Sequence, residues 1–302
     1  MSFEDQRVAR ARRLSAEPLK ELGRRSSLVR DLKRSAQEVW ERRELLGLLV
    51  RRELRARYKD SNLGFAWSLF KPLSQLLIYY IVIGHFLGAA RGIPQFAVFV
   101  FSGLTIWTFF LEVVNGGTGA IVANSGLVKK VYLPREIFPM TAVGTAAVNS
   151  GIQFLVLLVA VTVTRSFPKP VDVLYLVPGI AVVAVFSFSI ALLLAALNVY
   201  LRDIQHLIEV VTFLLFWASP IVYSYSFVEA SVPPWVSEIY LANPVTLGVL
   251  AFHRGLWAAD DSLHGASHLG LRLAVALVVS CICLIGAHRV FTRLEGNFAQ
   301  EL

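Results

Sequence analysis

The chain has 302 residues, of which 56% are hydrophobic and 17% are charged, and its mean hydropathy is +0.60. A soluble globular domain has about 45–50% apolar and about 25% charged residues, so the composition excludes that class and indicates a membrane protein. The formal net charge is +8, and residues 1–64 alone hold 17 Lys and Arg against 10 Asp and Glu. This surplus predicts a basic segment on the cytoplasmic surface of a membrane, rather than a nucleic-acid-binding segment.

The N-terminal region is basic and then amphipathic. Its first residues are rich in Arg, Ala and Ser, but no apolar stretch of about 7–15 residues follows, as a secretory signal peptide requires. We therefore expect the N-terminus to stay in the cytoplasm. Residues 39–65 alternate apolar side chains, such as Trp40, Leu45 and Leu49, with Arg and Glu at approximately helical spacing. This pattern predicts an amphipathic helix in the membrane interface, with a soluble coiled-coil segment as the alternative.

Six apolar stretches are long enough to cross a hydrocarbon core about 30 Å thick, which takes about 20 helical residues. They lie near residues 65–88, 96–122, 138–164, 173–198, 205–225 and 269–288. With the N-terminus inside, the inner flanks of these spans hold eleven Lys and Arg and the outer flanks hold five. The positive-inside rule then favours a cytoplasmic location for both termini.

Four charges follow one another closely between the second and third spans, in NSGLVKKVYLPREIFP at residues 124–139. Each Lys or Arg at the centre of a span costs about 2.5–3.5 kcal/mol, so this stretch is predicted to be a cytoplasmic loop. Pro134 and Pro139 bracket the residues REIF. Because proline is tolerated in the first turn of a helix, we expect a short helix there, along the membrane face. An ordinary positive-inside anchor is the alternative interpretation of these charges.

The outer segment between the fifth and sixth spans is apolar but interrupted by proline. Pro220, Pro233, Pro234 and Pro244 divide it into pieces too short to span. We expect short helices that enter and leave one leaflet, with their breaks facing protein or water, because irregular backbone is not tolerated against lipid. An external loop packed on the surface is the alternative.

The enzymatic and metal-binding motifs that we tested do not fit. The run GGTGA at residues 116–120 lacks the Lys of a phosphate-binding loop, and no serine nucleophile elbow or HExxH sequence occurs. His264 and His268 are four residues apart but have no evident third ligand. We therefore expect no catalytic, nucleotide or metal site on this chain. Glu112 and Glu209 would be the functional carboxylates of an ion-coupled carrier, but no inverted repeat with matching broken helices is evident.

Five motifs occur in a fixed order: RRELRARYKDSNLGFAWSLFKP, NSGLVKKVYLPREIFP, LNVYLRDIQH, SPIVYS and NPVTLGVLAFHRGL. Their combination resembles the ABC-2 type permease subunits that export lipid-linked polysaccharides such as O-antigen, teichoic acid, galactan or capsule. The resemblance extends over about residues 40–290. It implies an all-α membrane protein of the ABC-2 permease fold, with six transmembrane helices, an N-terminal amphipathic interface helix and re-entrant extracytoplasmic helices between spans five and six. A permease for a drug or small lipid in the same class is the alternative function.

The resemblance also implies an assembly in the bacterial inner membrane. Two copies of the chain would form the channel, and two copies of a separate ATPase subunit would bind ATP and Mg below it, so the chain itself would be no enzyme and hold no cofactor. The cargo would be a polyprenyl-linked polysaccharide. The implied division is a basic cytoplasmic extension at residues 1–38, the interface helix at 39–62, the six-span domain at 63–290 and a cytoplasmic tail at 291–302.

Two sets of site residues follow from the resemblance. The first set comprises the loops that would transmit force from the ATPase: Leu127, Val128, Lys129, Lys130, Tyr132, Pro134, Arg135, Glu136, Arg202 and Asp203. The second set comprises the outer gate: Pro220, Tyr223, Trp235, Asn243 and Pro244.

A third set follows from the chemistry of such a cargo. Sugar rings slide over aromatic faces, and Arg suits the two phosphates of a polyprenyl carrier, although anionic lipid headgroups would bind the same cations. The channel and entrance set comprises Arg55, Arg57, Lys59, Lys71, Trp67, Tyr79, Trp107, Phe110, Phe213 and Phe216.

Overall fold

The computed structural model describes residues 28–57, 66–131, 133–165, 167–257 and 266–302. Within these ranges the chain forms helices and no β-strand, so the prediction of an all-α protein is confirmed. Lys59, Tyr132 and residues 1–27 of the predicted extension lie outside the described residues.

Two helices precede the first span. They are α1, Leu28–Glu41, and α2, Arg43–Arg57, so the helical region begins before the predicted position 39 and is interrupted at Arg42. Helix α2 packs against a later helix, α6, Ile137–Val163, where a Cβ on Gly144 would lie 2.6 Å from Cγ2 of Val50. Glycine at this position therefore permits the close approach. Trp40 stays exposed, and the interfacial position of these helices remains a prediction.

Five helical segments in the described ranges are long and apolar enough to cross a membrane. The first and fourth are composite: a π-helix, Tyr80–Phe86, extends α3, and a short helix, α7, leads into α8. The five segments are α3 Trp67–Tyr79 with its π-helix, α4 Phe96–Ala123, α6 Ile137–Val163, α7 Pro170–Val173 with α8 Leu176–Tyr200, and α13 Leu269–Leu294.

The predicted fifth span is shorter than its apolar stretch. Helix α9, Ile204–Trp217, has 14 residues and is about 21 Å long, which is less than a hydrocarbon core of about 30 Å. It ends where Pro220 follows, and the Tyr223 hydroxyl donates to the Trp217 carbonyl at 2.6 Å. By length and composition, a sixth crossing is counted if α11, Pro234–Leu241, and α12, Pro244–Leu256, which are bent by 85°, form one span. The described chain therefore has five to six membrane-spanning elements.

Helix α4 lies at the centre of the fold, against α6 and α8. A Cβ on its Gly117 would lie 2.5 Å from Cβ of Ala191 on α8, and a Cβ on Gly248 of α12 would lie 2.2 Å from Cγ2 of Val183. Small residues at these crossings let the backbones approach. Helix α3 is different, because side chains such as Leu77 on it are exposed. The central helices thus form a scaffold that leaves the apolar surface of α3 largely uncovered.

The remaining short helices lie outside this scaffold. They are α5 Ser125–Lys130, α10 Tyr225–Ser231 and α14 Phe298–Glu301.

Candidate functional site

A cleft of about 490 Å³ lies where the end of α2 meets the first turns of α3, the middle of α4 and α6. Four residues of the predicted entrance set line it, namely Arg57, Trp67, Lys71 and Trp107. The structure therefore brings Trp107 of α4 next to Arg57, Trp67 and Lys71, which belong to one sequence motif. The other lining residues are Pro72, Gln75, Thr108, Leu111, Glu112 and Gln153.

A polar network forms one wall of the cleft. The Arg57 guanidinium lies 3.3 Å from a carboxylate oxygen of Glu112, and the Asn149 side-chain amide donates to the same oxygen at 2.7 Å. Gln153 is 1% exposed, and its side-chain carbonyl has no hydrogen-bond partner among the described residues. An unpaired buried acceptor costs free energy, so this wall is suited to a ligand that donates a hydrogen bond.

Aromatic rings stand behind the cleft. The Trp107 ring centroid lies 5.4 Å from that of Phe110 and 5.5 Å from that of Phe216, and the Tyr79 ring stacks on Phe216 at 5.9 Å. Phe110 and Phe216 are buried, so within one chain they support Trp107 rather than line the cleft.

Two further members of the entrance set lie apart from the cleft, and a third lies outside the described residues. Arg55 is exposed on the last turn of α2, and Phe213 is exposed on α9, but neither lines the cleft. Lys59 lies outside the described residues.

The helix in the charged loop is not where the sequence predicts it. Helix α5, Ser125–Lys130, lies before Pro134, and the residues REIF form a turn that runs directly into α6. The prediction of a separate helix between Pro134 and Pro139 is wrong, because Arg135 and Glu136 form a turn and Ile137 and Phe138 already belong to α6, whose first turn accommodates Pro139. In α5, Leu127 is partly buried and Val128 is buried, whereas Lys129 and Lys130 are exposed. Arg202 and Asp203 are likewise exposed, in the turn before α9.

Glu136 connects this loop to both ends of the chain. Its carboxylate accepts a hydrogen bond from the Ser35 hydroxyl of α1 at 3.0 Å and lies 3.4 Å from Nε2 of His288 on α13. Burial raises the pKa of the Glu136 carboxyl, but the hydrogen bonds from His288 and Ser35 outweigh burial, so that pKa lies below its usual value. The ionised carboxylate therefore fixes α1 against the loop.

The outer segment is ordered by turns and caps. The Asn243 side chain accepts a hydrogen bond from the Val245 amide at 3.0 Å, and Pro244 occupies the first turn of α12, as expected at a helix start. The Tyr223 hydroxyl lies 3.2 Å from that of Tyr240, Pro220 is buried and Trp235 is exposed. The position of this segment at the outer face and the role of its residues in gating stay predictions.

Several residues of these sites could not be found from the sequence. Ser35 and His288 carry no motif, and only folding brings them to Glu136. Gln153 and Asn149 are recognisable in the sequence as polar groups in an apolar stretch, but nothing there indicates that Arg57 and Glu112 join them. In the part of the chain that the structure describes, no group of three or more His, Cys, Asp or Glu could hold a metal ion.

Comparison with known proteins gives a consistent family. Residues 44–257, more than half of the chain, match the family described as ABC-2 type transporter. The chain is 33% identical over 270 residues to the O-antigen export system permease protein RfbA of Myxococcus xanthus, which covers 89% of this chain and 99% of that protein. It is 26% identical over 263 residues to the protein of the same name from Klebsiella pneumoniae, with 86% and 95% coverage.

A capsule exporter subunit is also similar. The capsule polysaccharide export inner-membrane protein CtrC of Neisseria meningitidis is 25% identical over 225 residues, which is 72% of this chain and 81% of that protein. The family match and these identities confirm the resemblance carried by the five sequence motifs. The chain belongs to the ABC-2 type transporter family.

Proposed function

We propose that the chain is the permease subunit of an ATP-driven exporter that moves a lipid-linked polysaccharide, of the O-antigen, teichoic-acid or galactan type, across the bacterial inner membrane. The observation that carries the proposal is the cleft between α2, α3 and α4. It combines Arg57 and Lys71 with two indole rings and the unpaired Gln153 carbonyl. Cations suit a polyprenyl diphosphate, and indole faces and hydrogen-bond acceptors suit the first sugars attached to it.

The electrostatics of the cleft favour an anionic headgroup that can displace an internal partner. Arg57 is already paired with Glu112, but its side chain is 38% exposed, so solvent screens that pair. A diphosphate carries more negative charge than one carboxylate and offers several oxygens to the guanidinium fork. Arg57 can therefore exchange Glu112 for the cargo while Asn149 continues to hold the Glu112 carboxylate.

The assembly that we propose contains two copies of this chain. The support comes from the uncovered apolar surfaces of α3 and α9, where exposed side chains include Leu77, Ile78, Val210, Phe213 and Leu214. Large apolar faces of membrane helices are covered either by lipid or by other helices. Pairing them across a two-fold axis would place the aromatic residues of α3 and α9 along a shared channel.

A separate ATPase would supply the energy, with ATP and Mg bound on that subunit. The exposed Lys129 and Lys130 of α5, and Arg202 and Asp203 before α9, would receive its movements. We assign the shorter apolar helix α9 as the fifth of six crossings, so both termini would be cytoplasmic, with α1 and α2 in the membrane interface and the bent helices α11 and α12 as a re-entrant gate at the outer face. The 85° bend between those two helices supports a gate of this kind.

Depletion of the protein in its host tests the proposed function. Lipid-linked polysaccharide should accumulate on the cytoplasmic side, where fractionation and sugar analysis would detect it and identify its composition. A matched strain depleted of an unrelated inner-membrane protein is the control. Loss of the protein without accumulation would favour a permease for a small lipid or drug instead.

A further inference from the structure

The last helix of the chain is anchored by one aromatic side chain. Phe298 of α14 is fully buried, and its ring centroid lies 5.5 Å from that of Phe291 on α13 and 6.3 Å from that of Tyr200 at the end of α8. The Arg135 guanidinium lies 5.6 Å from the same centroid, within the range of a cation–π contact. Phe298 therefore contacts α13, the end of α8 and the loop that precedes α6.

These contacts join two cytoplasmic loops that are distant in the sequence. Arg135 belongs to the loop after α5, and Tyr200 directly precedes the loop of Arg202 and Asp203. The Tyr200 hydroxyl also donates to the Leu294 carbonyl at 2.8 Å, which fixes the end of α8 against the end of α13. Movement of one loop would be transmitted to the other through the C-terminal segment, residues 295–302.

The C-terminal segment also closes a polar groove of about 520 Å³. One wall comes from α1, which the hydrogen bond between Ser35 and Glu136 holds in place at 3.0 Å, and the opposite wall includes Glu295 and Ala299. Lys129 and Lys130 lie on the groove between these walls and are exposed.

The chemistry of the groove indicates the kind of surface that would bind there. Val128 and Val131, which flank the two lysines in the sequence, supply apolar lining. Four cations, Arg42, Lys129, Lys130 and Arg135, line the groove together with three carboxylates, Glu38, Glu136 and Glu295. The exposed pair of lysines beside the exposed Val131 complements an acidic segment that carries an apolar side chain, since complementary charge guides association and apolar burial stabilises it.

We infer that residues 295–302 are part of the surface that binds the ATPase subunit, with Phe298 as a positioning residue that holds the two loops in register. The inference rests on the proposed function and extends it, because the two loops alone were assigned to the coupling surface. The ATPase would contribute the acidic segment to the groove beside α5.

Site-specific crosslinking in the complete complex tests the contact. Benzoylphenylalanine replacing Ala299, whose exposed side chain lines the groove, should crosslink to the ATPase subunit, identified by mass spectrometry. The same residue replacing Ile282, which is exposed in the middle of α13, should not. Absence of an ATPase crosslink at Ala299 would overturn the inference.

A second measurement tests positioning by Phe298. Phe298→Ala should reduce the ratio of polysaccharide exported to ATP hydrolysed about tenfold, within the usual range of coupling effects, whereas Phe298→Leu, which keeps most of the apolar contact, should retain most of that ratio. Phe167→Ala is the matched control, because Phe167 is exposed.

The outcomes separate the two proposals. Export by the wild-type complex with an unchanged ratio in Phe298→Ala, at equal membrane levels, would overturn the inference alone. Absence of ATP-driven export by the wild-type complex would overturn the proposed function and the inference together. If Phe298→Ala does not insert, the crosslink at Ala299 decides.

Discussion

The Arg57 guanidinium at the end of α2 lies 3.3 Å from the Glu112 carboxylate in the middle of α4. This pair connects the basic N-terminal region to the central helix of the fold at the edge of the cleft. Because Asn149 donates to the same carboxylate at 2.7 Å, removal of the cation leaves Glu112 with one partner. Two partners of different exposure thus hold one carboxylate.

We predict that these two partners contribute unequally to stability. Asn149 is 1% exposed, so Asn149→Ala should destabilise the protein by about 1–3 kcal/mol through a buried group left unpaired. Arg57→Ala should cost under about 1 kcal/mol, because the pair is solvent-screened. Thermal unfolding in detergent would measure both variants. A larger loss for Arg57→Ala than for Asn149→Ala would contradict the network described here.

We predict that Lys71 contributes to binding of a diphosphate. Lys71→Gln removes a cation from the cleft, and loss of a charge-assisted contact of about 1.5–3 kcal/mol weakens binding about tenfold or more. The measurement is the Kd of the purified chain for a polyprenyl diphosphate. Lys130→Gln, outside the cleft, is the control.

The same titration separates cargo from bulk lipid. Vesicles of phosphatidylglycerol without the diphosphate should bind the wild type and Lys71→Gln equally. If Lys71→Gln instead weakens binding to these vesicles and leaves the Kd for the diphosphate unchanged, Lys71 contacts lipid headgroups and the entrance assignment fails.

Stability should depend on pH through Glu136. The pKa of this carboxyl is lowered in the folded protein from the ordinary value of 4.5, so the stabilisation is present above 4.5 and is lost as the pH falls through the lowered value. His288 and Glu295 interact with it, and Glu38 and Arg135 line the same groove. The wild type should therefore unfold at a higher temperature than Glu136→Gln at pH 7, and the difference should shrink at about pH 3.

The exposed Glu229 provides the control for that measurement. Glu229→Gln should leave the unfolding temperature near that of the wild type at both pH values, because its side chain is on the surface of α10. A difference in unfolding temperature between the wild type and Glu136→Gln that stays constant over the whole pH range would show that an ionised Glu136 does not stabilise the fold.

We predict that the lysines of α5 transmit force rather than only anchor the loop. Replacing both Lys129 and Lys130 by Glu should leave ATP hydrolysis by the partner in place and reduce export about tenfold, since coupling effects have this size. Export of radiolabelled polysaccharide per ATP hydrolysed is the measurement. Arg91→Glu, exposed in the short 3-10 helix Ala89–Arg91, is the matched control, and normal export by the double variant would refute the assignment.

The sequence predicts this fold well where one local property decides the structure. Apolar stretches and proline breaks locate α4, α6 and α13 closely, because an uninterrupted helix needs only its own residues to satisfy the backbone. The fifth span was predicted too long, because hydropathy continues past Trp217 while the backbone turns at Ser219 and Pro220. Hydropathy records solvent preference and contains no information on where a helix ends.

For the sites, the sequence identifies single residues by their chemistry but not the tertiary contacts between them. Arg57, Lys71, Trp67 and Trp107 could be chosen from residue chemistry, because cations suit phosphates and indoles suit sugar rings, although the same residue types also anchor proteins in the membrane interface. The contact of Phe298 with Arg135 and Tyr200 could not, because those residues belong to segments that only tertiary packing brings together.

The most direct test of the central claim is reconstitution of the chain with its partner ATPase in vesicles that carry lipid-linked polysaccharide on the outer surface. The fraction of polymer protected from an added glycosidase would be measured with ATP and with ADP, in complexes whose ATPase faces outward. We predict that ATP increases the protected fraction and that ADP does not. Unchanged protection with ATP, in a complex that still moves a short lipid or drug, would contradict it.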